Sequence, residues 1–83
     1  MTEVGDARAL TLALLSTRAA GATLCPSEVA RALASDADAG DWREAMPAVH
    51  AAVDRLAAEG AVRLSWRGKA LAARDGPYRI GRP

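Results

Sequence analysis

Eighty-three residues make one domain at most, burying about 60–65% of the unfolded surface in a single small core. The chain is 51% apolar and 25% charged with net charge +1, and no apolar run approaches the ~18 or more residues of a membrane span. Phe is absent, and one Cys with one His excludes an internal disulfide and the common zinc and iron sites.

Asp6 predicts the N-cap of a first helix that runs to about Arg18. Leu10, Ala13, Leu14 and Thr17 share one face at helical spacing, with Leu12 and Leu15 on the other side. A helix apolar on both sides is sandwiched in a core or used in an interface. Gly21 closes it. Ala22 to Leu24 reads as a short extended stretch, because Cys25 precedes a proline and is held out of the helical region.

Cys25-Pro26-Ser27-Glu28 opens a second helix, over 26–34. Proline suits the first helical position, and Glu28 in the first turn meets the positive end of the helix dipole. Val29, Ala30 and Leu33 face the core. Ser35 to Asp41 is polar, acidic and loop-like. The third helix is expected over 42–59: a lead-in from Trp42 to Met46 capped by Asp41, then a restart or kink at Pro47. Val49, Val53 and Leu56 form its apolar stripe, flanked by Ala52 and Ala57, and Gly60 ends it.

After Gly60 the period changes from 3.6 to 2. Val62, Leu64 and Trp66 alternate with Arg63, Ser65 and Arg67, a half-buried strand. The turn is centred on Arg67-Gly68 or on Gly68-Lys69. Leu71 and Ala73 return on the face of Leu64 and Trp66 under either register, so a hairpin is expected near 62–73. Asp75-Gly76-Pro77 is a second turn. Tyr78-Arg79-Ile80 is a last alternating stretch able to return towards the domain.

The expected architecture is therefore mainly α (α+β): one domain over residues 1–83, core 6–81, with three helices and a C-terminal β-hairpin. That element order is the order of a winged helix, whose third helix enters the DNA major groove while the hairpin forms the wing. Thr23-Leu24-Cys25-Pro26-Ser27-Glu28-Val29-Ala30-Arg31, Trp42-Arg43 with Met46, Leu56 to Gly60, Gly68-Lys69 and Gly76-Pro77-Tyr78-Arg79 carry a resemblance. Over residues 6–81 the chain resembles the short bacterial proteins of domain-of-unknown-function family 3253. The resemblance implies a winged-helix fold and a bacterial origin, and it implies no function.

For function, the charge distribution says more than the net charge. Residues 1–60 carry five Arg against nine acids; residues 61–83 carry five Arg and one Lys against Asp75 alone. A C-terminal segment of net +5 on a body of net −4 suits a phosphate backbone, with Arg63, Arg67, Lys69, Arg74 and the helical Arg55 as candidate contacts. The competing reading is a solvated hairpin face in an Arg-rich chain. On the third helix Ala51, Asp54, Arg55 and Ala58 oppose the apolar stripe, and only Arg55 has the reach and donors to read a base edge. The expected function is a weakly sequence-specific nucleic-acid-binding module in a regulatory or accessory role. The alternative is a winged helix that binds no DNA and serves protein interaction or oligomerisation.

Leu12, Leu15 and Trp42 are candidate homodimer contacts, although the hairpin or chain end could equally cover Leu12 and Leu15. Trp42 and Trp66 are expected to add bulk to a core short of aromatics. Cys25 is read as a half-buried cap residue and His50 as a boundary residue. No G-x-S-x-G, G-x-x-x-x-G-K-[ST] or G-x-G-x-x-G motif occurs, so no enzyme, cofactor, metal site or small-molecule substrate is expected. The start, Met1 to Asp6, has neither the basic nor the apolar region of a signal peptide, which reads as cytoplasmic.

Overall fold

Helix α1 spans Val4–Ser16 in a computed structural model that describes residues 4–36 and 40–83. Its buried stripe is Ala7, Thr11 and Leu15, one turn apart, with Val4, Leu10 and Leu14 packed along its flanks. The helix is thus rotated from the face that leucine bulk suggested, and Asp6 lies inside its first turn rather than before it. The physical reason is close packing: Ala7 and Thr11 are small. The Thr11 hydroxyl donates to the Ala7 carbonyl at 2.7 Å, which lets a polar side chain be fully buried.

Strand β1 is Thr23–Leu24, and helix α2 follows over Pro26–Asp36. Glu28 does more than face the helix dipole. Its carboxylate accepts from the Cys25 backbone N–H at 2.7 Å, the returning half of a capping box. The acidic loop expected over Ser35 to Asp41 begins later than that, because α2 continues through Ser35 and Asp36, and residues 37–39 lie outside the described residues. Asp41 then caps a single 3₁₀ turn, Trp42–Ala45, by accepting from the Arg43 N–H at 3.0 Å.

Helix α3 runs Met46–Ala58 with Pro47 in its first turn, where no N–H is missed. Val49, Ala52, Val53 and Leu56 are fully buried, as the stripe predicts. Gly60 adopts φ +74° and closes the helix with paired bonds: Ala61 N–H to Leu56 carbonyl at 2.9 Å and Gly60 N–H to Ala57 carbonyl at 3.1 Å. That is a Schellman ending, for which glycine is the residue with the least strain.

Strands β2 (Arg63–Trp66) and β3 (Lys69–Leu71) form the hairpin. Trp66 pairs with Lys69 and Leu64 with Leu71, so the two-residue loop is Arg67-Gly68. Both loop residues have positive φ, +52° and +81°, the backbone of a type I′ turn whose twist matches the strands. The hairpin is shorter than residues 62–73, because Ala72 and Ala73 leave the ladder after Leu71.

The last strand, β4 (Arg79–Gly81), enters the sheet's interior rather than its edge. The sheet order is β1-β4-β2-β3, antiparallel throughout, with Leu24 and Leu64 both opposite Ile80. Ile80 and Tyr78 join Leu24, Leu64 and the helical residues in one core. This is a three-helix α+β domain with a C-terminal antiparallel sheet, compatible with a winged-helix layout. No helix among the described residues is long and apolar enough to cross a membrane.

Candidate functional site

The alternation of β2 and β4 sorts the C-terminal cations. Leu64 and Ile80 point to the core, so Arg63, Ser65 and Arg79 share the opposite, outer face of the sheet. A shallow groove of about 150 Å³ crosses that face, lined by Gly21, Thr23, Arg63, Ser65, Gly81 and Arg82. Arg67 stands at the turn, and Lys69 lies across the ladder from Trp66. Arg55, Arg63, Arg67 and Lys69 are exposed, and none makes an ion pair among the described residues.

Arg74 departs from that set. Its Nε donates to Asp54 of α3 at 2.8 Å, so its charge is matched before any polyanion arrives. Arg79 was not among the sequence candidates. Its position between the buried Tyr78 and Ile80 was the available signal that it faces outward. It bonds Thr23 through Nε (2.6 Å to the hydroxyl) and Nη2 (3.2 Å to the carbonyl). Arg82 holds the open end of α1, with Nη2 donating to the Leu15 carbonyl at 2.8 Å and to the Arg18 carbonyl at 2.7 Å. A guanidinium there gives the Arg18 carbonyl a donor, adds a second to the Leu15 carbonyl, which already accepts from the Arg18 N–H at 3.1 Å, and faces the negative end of the helix dipole.

Two contacts one helical turn apart tie the segment after β3 to α3. His50 Nδ1 lies 2.7 Å from the Tyr78 hydroxyl, and Asp54 holds Arg74. Burial lowers the His50 pKa, and the nearby Arg74 charge lowers it further. Burial pushes Tyr78 up to about 12. At neutral pH the bond therefore joins two uncharged groups. His50 is a partner of a buried tyrosine rather than a plain boundary residue. Between the tie points and the hairpin lies an open cleft of about 450 Å³, walled by Ala57, Ala58, Leu64, Ala72 and Ala73 with the Asp54–Arg74 pair at its rim.

The interface candidates separate. Leu12 is 38% exposed. Leu15 is 4% exposed and belongs to the core, because the rotation of α1 turns it inward, so it offers no dimer contact. Trp42 is half-buried against the core and has the Arg31 and Arg43 guanidinium groups each 4.7 Å from its ring centroid. Two cations of its own chain already stand over its ring, so it is no bare apolar anchor. Trp66 corrects another expectation. It is 37% exposed, at the end of β2 next to the turn, and among the described residues Arg67 is the cation over its ring, at 5.7 Å.

Cys25 is half-buried, its Sγ 3.0 Å from the Ser27 hydroxyl. No group of three His, Cys, Asp or Glu side chains stands ready to hold a metal among the described residues.

A family model described as "Protein of unknown function (DUF3253)" matches residues 6–83. The chain belongs to that family. The match spans all three helices of this DUF3253 chain, apart from the first two residues of α1, and the whole sheet. It takes in every segment that carried the resemblance. No curated protein matches the chain.

Proposed function

We propose that this DUF3253 chain is a winged-helix nucleic-acid-binding module that holds phosphate through its hairpin and reads little sequence. One observation carries the reading: Arg63, Arg67 and Lys69 are exposed on a short hairpin with no acidic partner among the described residues. The type I′ turn fixes the backbone that carries Arg67 and Lys69, so only side-chain freedom is lost when they meet a phosphate. Arg55 is an additional donor on α3. Arg74 leaves the set, because its partner Asp54 would have to be displaced. The proposed role is binding alone, regulatory or accessory, with no catalytic step.

The alternative is a protein-interaction module. The features favouring it are on α3: Ala57 and Ala58 present no base-reading group, and Asp54 adds negative charge. The exposed Leu12 adds a small apolar spot on α1.

Retention of duplex DNA at increasing salt separates the two. Three phosphate contacts give a slope near −2.7 for log affinity against log salt, at about −0.9 per contact. Arg67→Ala lowers affinity alike on every sequence and flattens the slope by about one unit. Absence of binding near ~50 mM salt, where phosphate contacts are strongest, removes the nucleic-acid reading in favour of the interaction module.

A further inference from the structure

We infer that the hairpin tip binds unpaired nucleotides, with Trp66 as the platform on which a base stacks and with Arg67 and Lys69 holding its phosphates. The inference rests on the nucleic-acid reading above and adds the form of the ligand.

Three observations point the same way. First, the two tryptophans are treated differently by their surroundings. Trp42 has a guanidinium 4.7 Å from its ring centroid from each of two arginines, and it is half-buried against the core. Trp66 stands 37% exposed with a single cation at 5.7 Å, and it is the one large aromatic side chain so exposed among the described residues. Second, the cations sit where a nucleotide's phosphates would be. Arg67 follows Trp66 in the chain, and Lys69 is its cross-strand partner, on the same face of the ladder. Third, the duplex-reading element is poorly equipped. Asp54 is tied to Arg74, and the cleft beside α3 is walled by alanines. Base stacking on an aromatic ring combined with a basic track is the usual chemistry for single strands, and it tolerates any base because each has a π face.

The same tip has an exposed aromatic flanked by two cations, which also suits an anionic lipid surface. The nucleotide is favoured because one ring is enough to stack a base. Interfacial anchoring draws on a broad apolar face, and here Lys69 and Ala70 beside Trp66 provide none.

The test compares a fluorescently labelled oligothymidylate with a duplex of the same length on the intact chain. Thermal melts of each variant confirm folding. The expected result is tighter binding of the single strand. Trp66→Leu, which keeps bulk and loses the ring, lowers that affinity roughly 5- to 150-fold without changing the salt slope, and Trp66→Phe restores most of it. Arg67→Ala flattens the single-strand slope by about 0.7. Equal binding of both forms, with Trp66→Leu neutral on each, overturns the stacking platform and leaves phosphate binding by the hairpin standing. No binding of either form at ~50 mM salt overturns both readings. Trp66-dependent binding to vesicles containing phosphatidylserine, with none to oligonucleotide, overturns them in favour of a lipid surface.

Discussion

The hairpin, Arg63–Leu71, and the return segment, 72–82, are neighbours in sequence and both rich in arginine, yet they differ in what their charges do. Along the return, Arg74 is held by Asp54, Arg79 by Thr23, and Arg82 by two carbonyls at the end of α1. The same stretch sends Tyr78 and Ile80 into the core. Along the hairpin, Arg63, Arg67 and Lys69 reach solvent with no acidic partner among the described residues. The net +5 of residues 61–83 is therefore a poor measure of charge offered to a partner: half of the six cations are already occupied with the fold. What decides is the distance to an acceptor on another element.

The hardest blow to the comparison is Ile80→Ala. It removes the fully buried centre of β4 and should cost about 2–5 kcal/mol, the range for large-to-small core changes. For a domain near the lower end of the usual ~5–15 kcal/mol, that is enough to unfold a visible fraction at room temperature. Urea denaturation monitored by circular dichroism measures it. A midpoint unchanged from the parent means the return segment is not part of the core.

Arg82→Ala tests the occupied class directly. Losing the cap on α1 should cost about 1 kcal/mol, whereas Arg67→Ala should stay within about 0.5 kcal/mol, as surface changes away from special features do. Equal midpoints for the two variants in the same urea series remove the distinction between occupied and open arginines.

Arg74→Gln sharpens the boundary. It breaks an ion pair whose partners are each more than a third exposed, so stability should change by less than about 1 kcal/mol. The salt slope of nucleic-acid binding should not change, in contrast to Arg67→Ala. A slope flattened by about one unit shows Arg74 leaving Asp54 for a phosphate.

The smallest effect concerns pH. The folded His50 pKa lies below its usual 6.5, so below that value the unfolded chain takes up the proton more readily. His50 therefore contributes stability above about pH 6.5, lost as pH falls through the lower folded-state value. Melting temperatures from pH 8 to 5 should fall more for the parent than for His50→Gln. Solvent screening of this half-exposed ring keeps the difference small. Parallel curves mean the His50–Tyr78 contact does not sense protons.

Most local signals were readable, although Asp6, expected as an N-cap, lies inside the first turn of α1. Asp41, Pro26, Pro47 and Gly60 mark their helix ends through their own backbone chemistry. The change to period two gave the hairpin, and the phase of Leu64 and Leu71 held in the observed register. The misreadings that shape the candidate site concern distance along the chain. The phase of α1 puts Ala7 and Thr11 in the buried stripe, where close packing favours small residues over the leucines that dominate the sequence pattern. The Asp54–Arg74 pair joins residues 20 apart, so nothing in either neighbourhood announces it. Trp66 obeys the strand alternation, but the alternation does not say where along the strand burial ends. The same limit applies to the candidate site: the open cations were legible one by one, and their separation from the occupied ones was not.

The central place of β4 has a consequence for how the molecule is made. β1 and β2 share no ladder; each pairs with β4, and the contact of Arg79 with Thr23 closes a loop of 56 positions. Such long-range pairings are slow to form, because chain entropy must be lost before any contact offsets it. During synthesis the helices and the hairpin can form early, while β1 and β2 wait with facing edges unpaired. The sheet closes only once residues 79–81 have left the ribosome, so its completion marks the moment at which the hairpin acquires a fixed base.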